Sequence, residues 1–490
     1  MKYLKDVKEF GNIDPNRDKL LESCFEEHEA YKGIYNMEKS LIIGKKGSGK
    51  TSIFKKLISM SDPDRFVKGY GLNSYPWHYH FLQAEQNVPE QNKYMNSWKY
   101  LILLELAKIL INEDSSVELN GSSDSIRILK KFLIDTYGNT NPQLTNIFTT
   151  SKKIKFNNLF SVKLGIEAGF HLPFDEIDMK ELPTIIYEIN QTILSHILNL
   201  LNPDHYYYIC FDELDLGFEI SNDYNLMIIG LIKAATELFN KACESNNHLN
   251  VCVFLRDDIY DLLKFEDKRK ISQNLVSRIE WDTNRVNNTL KSLMEKRFTE
   301  LLKENDEELI EWDDVFEIKR INGHNTKYDY MLDYTCRRPR DIIDFCNIIL
   351  ECYKSSDNNE NKFSNADIIA AKESYSLNFL AEFDDEIHKH MSDFDLYIEI
   401  FKRIGKIKFN FADFESQVKI YKSRLEDDKD TLSILQKLFQ FSVVGNYLIG
   451  GSVGGSKKSF KYMSTKNNFD ETKPILVHSG LASTLGLREK

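Results

Sequence analysis

The chain has 490 residues, of which 64 are basic and 75 acidic, so its formal net charge is −11. This length predicts about three domains of roughly 150 residues each. The acidic balance argues against a protein that coats nucleic acid with its whole surface, although it allows a local basic patch. The seven cysteines lack C-x-x-C spacing, the N-terminus lacks a signal-peptide core, and no apolar run approaches the ~18 residues of a membrane span. We therefore expect a cytoplasmic protein without disulfides, a zinc site or a membrane segment.

The first part of the chain alternates predicted helices and strands. Residues 1–36 are polar with a sparse apolar face, which predicts helix, and the apolar run 40–43 predicts a short buried strand. The aromatic run 77–82 predicts the next strand. Residues 98–111 predict a strongly apolar helix that lies buried on the sheet.

The region 113–180 interrupts this pattern. Turns rich in Ser, Asn and Asp alternate there with short β-like runs at 154–156 and 160–166, and we interpret the region as an insertion into the α/β domain. A helix over 182–201 follows. The continuous apolar run 206–211 is typical of a central parallel strand.

The remaining elements complete the predicted architecture. A helix at 228–242 and a buried strand at 249–255 extend the alternation of strands and helices, which predicts an α/β parallel sheet. From about residue 283 to 380 the pattern is helical. The tail predicts a helix at 434–442 and then a hairpin with arms at 443–449 and 460–463. The domain boundaries that follow are 1–285, 286–380 and 381–490.

The octapeptide from Gly44 to Thr51, GKKGSGKT, fits the phosphate-binding pattern G-x-x-x-x-G-K-[ST] at every fixed position. It stands between the predicted strand and an amphipathic helix that begins at 52–57. Glycines let backbone N–H groups face phosphate oxygens, and the helix N-terminus adds partial positive charge. We expect Lys50 to reach the β- and γ-phosphates of ATP and Thr51 to ligate Mg²⁺. The predicted nucleotide-binding residues are Gly44, Lys45, Lys46, Gly47, Ser48, Gly49, Lys50, Thr51 and Ser52.

Two acids, Asp212 and Glu213, directly follow the apolar run 206–211. The carboxyl ends of parallel strands form the sheet edge at which ligands bind, so both acids are expected beside the phosphate-binding loop. Asp212 is the predicted second Mg²⁺ residue, and Glu213 is the predicted base that orients or deprotonates the attacking water. The alternative is a strand that ends in a solvated acidic turn.

Three arginines stand where they would face a nucleotide. Arg256 ends the strand 249–255 and is a candidate sensor of the γ-phosphate, with a strand-end ion pair as the alternative. Arg338 and Arg340 open a helix in the run RRPRD and are candidates to lean over the nucleotide from a helical lid. A charged helix start that faces solvent is the alternative for this pair. Arginine suits these roles because its planar fork pairs with phosphate oxygens and keeps its charge.

In this order the motifs resemble those of the AAA+ and STAND-type P-loop ATPases, especially the origin-recognition and initiator branch. The resemblance covers residues 36–350 best: GKKGSGKT is similar to Walker A, FDELD to Walker B and RRPRD to sensor 2. It places Arg256 at sensor 1, where that branch usually carries Asn, and it implies that Arg278 is an arginine finger for a neighbouring subunit. The implied fold is an α/β P-loop NTPase sheet with a helical lid and a C-terminal winged-helix-like α+β domain.

The tail after residue 450 resembles the wing of such a domain. Residues 451–467 contain no acid, and a basic hairpin of this kind suits a DNA phosphate backbone. A solvated loop tip is the alternative. The lysines concerned are Lys457, Lys458, Lys461 and Lys466.

These expectations define an oligomeric switch driven by Mg²⁺-ATP. The N-terminal segment, the 113–180 insertion and the ending ILVHSGLASTLGL also resemble uncharacterised bacterial P-loop ATPases found near anti-phage defence genes. That resemblance implies a defence role with a separate effector, a nuclease or toxin, as the regulated partner, and the insertion is the candidate surface for it. One alternative is a DNA-binding initiator or transposition-helper ATPase. Another is a scaffold that holds nucleotide without hydrolysis, against which Glu213 argues.

Overall fold

The computed structural model describes residues 1–119, 123–156, 159, 176–215, 221–283, 288–306, 308–324, 326–426, 430–450 and 455–488. The chain divides into two compact units. The sheet unit comprises His28–Lys45 and Lys50–Ile279, and the helical unit comprises Met1–Glu27, Lys46–Gly49 and Glu280–Lys490. The domain boundaries predicted from the sequence remain predictions.

A parallel sheet organises the sheet unit. The elements, in chain order, are α1 (Glu29–Tyr35), β1 (Leu41–Gly44), α2 (Lys50–Ile58), β2 (Arg65–Gly71), α3 (Trp77–Phe81), α4 (Met95–Asn112), α5 (Ser116–Leu119), α6 (Ser123–Tyr137), β3 (Lys153–Lys155), β4 (Glu176–Asp178), α7 (Ile186–Leu198), β5 (Tyr206–Asp212), α8 (Asn222–Glu244), β6 (His248–Arg256), α9 (Asp257–Leu262), α10 (Lys268–Asn274) and β7 (Val276–Arg278). Five strands pair in parallel in the order β2–β5–β6–β1–β7, and β3 pairs antiparallel with β4. The predicted parallel α/β sheet is confirmed.

The core of the sheet unit explains why α4 is apolar on every side. The helix packs against α7, α8 and β5, so nearly all of its residues are buried, as the sequence predicted. The helix also buries charged side chains, among them Glu105, which pairs with Lys108 at 2.6 Å and accepts a hydrogen bond from the hydroxyl of Tyr70. Of the helices that the structure describes, none has the length and apolar character that a membrane crossing needs.

Two predictions for the first part of the chain are wrong. The aromatic run 77–82 is the helix α3, and the strand that pairs with β5 is the glycine-containing β2. The run is helical because this places His80 in the core, where its ring contacts Trp98 and bonds Ser97 Oγ at 2.8 Å. Aromatic residues favour strands mainly through such packing, and here a helix supplies it. Residues 1–36 contain only one short 3-10 helix before α1, and the rest of the segment forms turns and extended chain.

The region 113–180 is more regular than its composition predicts. It contains α6, whose buried face (Leu129, Phe132 and Leu133) joins the core around α4 and α7. The β-like run at 154–156 corresponds to β3. The predicted run 160–166 lies outside the described residues.

The helical unit ends in a small antiparallel sheet. Its elements are α11 (Leu290–Leu302), α12 (Trp312–Val315), α13 (Lys327–Leu332), α14 (Pro339–Ser355), α15 (Asn365–Ile387), α16 (Phe394–Ile404), β8 (Lys408–Phe409), α17 (Phe411–Tyr421), α18 (Thr431–Gln440), β9 (Val444–Leu448), β10 (Lys457–Ser459) and β11 (Ile475–Val477). The strand order is β10–β9–β11–β8. The predicted helix and hairpin are present, but the second arm is β10 rather than 460–463. Phe460 directly follows β10, and its ring covers Gly445, where a Cβ atom would lie only 2.7 Å from it.

Candidate functional site

The carboxyl ends of β1 and β6 lie side by side, with Gly44 paired with Arg256 in register. From β1 the chain crosses to β2 at the far edge of the sheet, whereas from β6 it passes β1 to reach β7. Adjacent parallel strands whose connections leave in opposite directions form a crevice at their carboxyl ends, and ligands of open α/β sheets bind there. The candidate site is therefore this edge, where the glycine-rich loop 44–51 follows β1.

The glycine-rich loop directs its carbonyl oxygens at donors within the protein. Lys50 is half-buried, and its Nζ donates to the carbonyls of Gly44 and Lys45, each at 2.9 Å. Three donors of the helical unit bond the next three carbonyls. Arg338 Nη1 donates to Lys46 O at 3.2 Å, and the backbone N–H of Arg340 donates to Gly47 O at 3.4 Å. Trp281 Nε1 donates to Ser48 O at 2.9 Å. Five consecutive carbonyls are thus occupied.

The N–H groups of the loop have the opposite character. Those of residues 46–49 donate to no acceptor in the part of the chain that the structure describes. Gly47 and Gly49 have φ values of 75° and 104°, which residues with a side chain rarely adopt. Ser48 Oγ is buried and lacks a hydrogen-bond partner among the described atoms. Consecutive N–H groups in such a conformation form a concavity that binds anions.

The structure brings Thr51 and Asp212 together. The Thr51 hydroxyl hydrogen-bonds the Asp212 carboxylate, and burial raises the pKa of Asp212 to about 6. Asp212 Oδ2 is buried and makes no hydrogen bond to the described residues. Burial also lowers the pKa of Lys50, against the opposing charges of Asp215 and Asp212. A carboxylate oxygen and a hydroxyl at one point are ligands that Mg²⁺ accepts, so these residues fit a magnesium ion.

Glu213 has an unusual backbone conformation for a residue with a side chain. Its φ is 59°, in the left-handed region. Its carboxylate lies over the end of β2: a Cβ atom built on Gly71 would be 2.5 Å from Glu213 Oε2. Glycine at position 71 therefore leaves room for the Glu213 carboxylate beside the end of β2.

Arg256 lies among acids at the end of β6. Its guanidinium bonds both carboxylate oxygens of Asp258, at 2.9 and 2.7 Å, and lies 3.5 Å from Asp215. The geometry is a strand-end ion pair, and the sensor role remains a prediction. Burial raises the pKa of the adjacent Asp257, and the positive charge of Lys45 opposes that shift. These three aspartates were not predicted as site residues. The available signals were the run RDD for Asp257 and Asp258 and the run FDELD for Asp215.

Arg278 takes part in none of the contacts to the glycine-rich loop described above. It ends the sheet-edge strand β7, and its Nη2 is 3.4 Å from Asp261. Its guanidinium carbon is 6.0 Å from the ring centre of Tyr260, and about a third of the side chain is exposed. The arginine-finger role stays a prediction.

Arg338 and Arg340 differ in burial and partners. Arg338 is 3 % exposed, and it bonds Asp341 at 2.9 Å and Glu386 at 2.6 Å. Burial works against its charge, but these carboxylates raise the pKa of Arg338. Arg340 is 22 % exposed and pairs with Glu382 at 2.9 Å. In the structure both arginines bind carboxylates and the loop's backbone, and these contacts were not predictable from the sequence.

The helices that carry these arginines match a known domain. Residues 288–384 match the family model of the FunZ-associated C-terminal helical domain. The match begins just before α11 and ends within α15. The search of curated proteins found no match to the chain. The FunZ-associated domain thus supplies Arg338, Arg340 and Glu382, whereas Trp281 precedes it.

The hydrogen bond from the Trp281 indole to the glycine-rich loop was not predicted from the sequence. Trp281 is 7 % exposed and donates to the glycine-rich loop at Ser48. Trp281 follows the candidate finger Arg278 by three residues, and no spacing rule connects a tryptophan there to a loop so distant in the chain. Trp281 could be assigned to the site only from the structure, in which it belongs to the same compact unit as residues 46–49 of the loop.

Proposed function

We propose that the protein is a P-loop ATPase of the AAA+/STAND type that binds Mg²⁺-ATP at the glycine-rich loop and hydrolyses it. One observation carries the proposal: the loop has five consecutive carbonyls held by donors, while the N–H groups of residues 46–49 have no acceptor among the described residues. A polyphosphate offers many acceptor oxygens to such a surface. The buried Asp212 oxygen, which has no hydrogen-bond partner among the described residues, favours a cation at Thr51 and Asp212.

Each site residue then has a task that its surroundings support. The loop N–H groups and Lys50 bind the phosphates, and Thr51 with Asp212 holds Mg²⁺. The ion supplies positive charge that polarises the phosphoryl group. Glu213, which directly follows β5 and whose carboxylate lies beside the end of β2, orients the attacking water and accepts its proton. Arg256 and Arg278 remain the candidate sensor and finger.

The biological output we propose is an oligomeric switch that regulates a separate effector, such as a nuclease or toxin, in anti-phage defence. This part rests on the motif resemblance. The order of elements in the tail, α16–β8–α17–α18 followed by the β9–β10 hairpin, supports the winged-helix-like assignment. ATP-dependent assembly is tested by mass measurement of the protein with and without nucleotide, and a pull-down from the native host tests the effector.

The DNA-binding alternative has less support from the hairpin. Lys458 pairs with Asp333 at 2.9 Å, and Lys461 donates to the carbonyls of Thr465 and Asn467. Two of the four lysines thus make contacts within the unit, while Lys457 and Lys466 are exposed. An initiator-like function predicts DNA-stimulated turnover and a steep fall of DNA affinity with salt.

Phosphate release from ATP tests the proposed function directly. Wild type should release phosphate, and Glu213→Gln should bind ATP but turn over at least roughly 100-fold more slowly, as expected for loss of a positioned base. Glu38→Gln, an exposed glutamate of the same unit, is the matched control. Equal rates for wild type and Glu213→Gln would reject the catalytic assignment. Absence of ATP binding in wild type and both variants would reject the proposed function.

A further inference from the structure

Three acids on the last turns of α15 face three cations at or beside the glycine-rich loop. The pairs are Glu382 with Arg340 at 2.9 Å, Asp385 with Lys46 at 3.2 Å and Glu386 with Arg338 at 2.6 Å. Asp385 and Glu386 follow Glu382 by three and four residues, so both lie on the same side of the helix as Glu382. All six residues belong to the helical unit. We call this set the α15 clasp.

Within the clasp, Arg338 is a fixed anchor. Its guanidinium bonds two carboxylates, Asp341 and Glu386, as well as the carbonyl of Lys46. Both arginine and carboxylates are almost completely buried. Removing the arginine from this arrangement would leave buried charges unpaired, which is strongly unfavourable. We therefore assign Arg338 a positioning role for the loop tip rather than contact with a ligand.

Arg340 is held much less firmly. Its carboxylate partner among the described residues is Glu382, and the two side chains are 22 % and 24 % exposed. Arg340 Nε is buried and has no hydrogen-bond partner among the described residues. This pair is partly exposed and, in the described part of the chain, has a single carboxylate, whereas Arg338 is held by two buried ones, so the Arg340 pair can be exchanged for another anion at a smaller cost.

The backbone of Arg340 already lies against the loop. Its N–H donates to Gly47 O at 3.4 Å, and a Cβ atom built on Gly47 would lie 3.0 Å from Arg340 Cβ. Arg340 therefore starts beside the unoccupied N–H groups of residues 46–49. Its planar fork matches a phosphate as well as it matches a carboxylate, so the two anions compete for it.

We propose that Glu382 is a built-in competitor of the nucleotide. The Glu382 carboxylate occupies the Arg340 guanidinium until the phosphate oxygens of a bound nucleotide replace it, and the exchange frees the end of α15 from one of its three ties to the loop tip. This inference rests on the proposed nucleotide binding and names a regulator of that site.

Binding of Mg²⁺-ATP to the full chain, measured by isothermal titration calorimetry, tests the clasp. Glu382→Gln should lower the dissociation constant for Mg²⁺-ATP roughly three- to ten-fold, because it removes the competing negative charge and keeps a side chain of the same size. Arg340→Ala should weaken binding, and adding Glu382→Gln to it should then change nothing further. Glu373→Gln, an exposed glutamate on the same helix, is the matched control and should bind as wild type does. Thermal unfolding of each variant verifies that it is folded.

The outcomes separate the two proposals. The clasp is supported if Glu382→Gln binds ATP more tightly than wild type and if this gain is absent when Arg340→Ala is also present. It is also supported if Glu382→Gln binds ATP and wild type does not. If wild type binds ATP and Glu382→Gln binds equally well or more weakly, the competitor role is wrong while the ATPase proposal stands. If neither protein binds ATP, the ATPase proposal fails and the clasp inference falls with it.

Discussion

The hydroxyl of Thr51 hydrogen-bonds the carboxylate of Asp212. The bond joins the first turn of α2 to the last residue of β5, two positions far apart in the chain. The two residues predicted to hold Mg²⁺ are therefore neighbours, and Asp212 Oδ2 stays without a hydrogen-bond partner among the described residues. The arrangement leaves one buried carboxylate oxygen available to a cation.

Lys50→Ala tests the anion site. We expect the dissociation constant for Mg²⁺-ATP to rise about 10- to 100-fold, because a charge-assisted contact to phosphate is lost. The carbonyls of Gly44 and Lys45 also lose their donor. Equilibrium dialysis with Lys131→Ala, an exposed lysine of the same unit, as the control checks this. Unchanged affinity in Lys50→Ala would contradict the loop's assignment.

The tryptophan contact to the loop has a natural control elsewhere in the helical unit. Trp281→Phe deletes the donor to Ser48 O, whereas Trp312→Phe deletes an indole N–H that is buried without a partner among the described atoms. We expect Trp281→Phe to cost about 1 kcal/mol of stability and to weaken ATP binding several-fold, because a buried carbonyl is left unpaired. Trp312→Phe should leave ATP binding unchanged. Denaturant unfolding and calorimetry measure the two effects, and equal affinities would argue against the contact's role.

The two arginines of the RRPRD run should differ sharply in stability. Arg338→Ala leaves Asp341 and Glu386 buried without their cation and should lower the free energy of unfolding by about 3–5 kcal/mol. Arg340→Ala removes a partly exposed pair and should cost about 1 kcal/mol or less. Urea titration of both variants gives the comparison. A larger loss for Arg340→Ala would overturn the division into anchor and exchangeable residue.

Asp344 gives the helical unit a defined pH dependence. Burial raises its pKa to about 6, whereas an unfolded chain has the ordinary value near 3.9. Below both values the group is neutral in either state and contributes nothing. Between about pH 4 and 6 the unfolded chain loses this proton while the folded protein keeps it, so stability falls relative to Asp344→Asn by roughly 1–3 kcal/mol and is constant above the folded pKa.

Urea unfolding of wild type and Asp344→Asn from pH 4 to pH 8 measures that difference. Asn378 Nδ2 donates to the carboxylate at 3.1 Å, and the asparagine variant keeps one oxygen as acceptor. The stability gap should open between pH 4 and 6 and remain constant above pH 7. A gap that does not change with pH would show that Asp344 titrates as an exposed carboxyl does.

Local patterns explain what was predictable. A fully buried parallel strand must be apolar on both faces, so β5 was evident from YYYICF, and the acids after it had to emerge at the sheet edge. The glycine-rich loop was equally evident because its glycines meet a backbone need for positive φ at positions 47 and 49. These constraints act within a few residues, so the order of amino acids records them.

By itself the sequence determined the alternation of strands and helices, the loop GKKGSGKT and the position of Asp212 at a strand end. Tertiary structure alone decided that an aromatic run folds as α3 and that the glycine-containing β2 joins the sheet. It also decided which acids hold Arg338 and Arg340, and that Trp281 donates to the loop. The physical reason is range: side-chain packing and ion pairing depend on neighbours brought from distant parts of the chain, which no spacing in the sequence encodes.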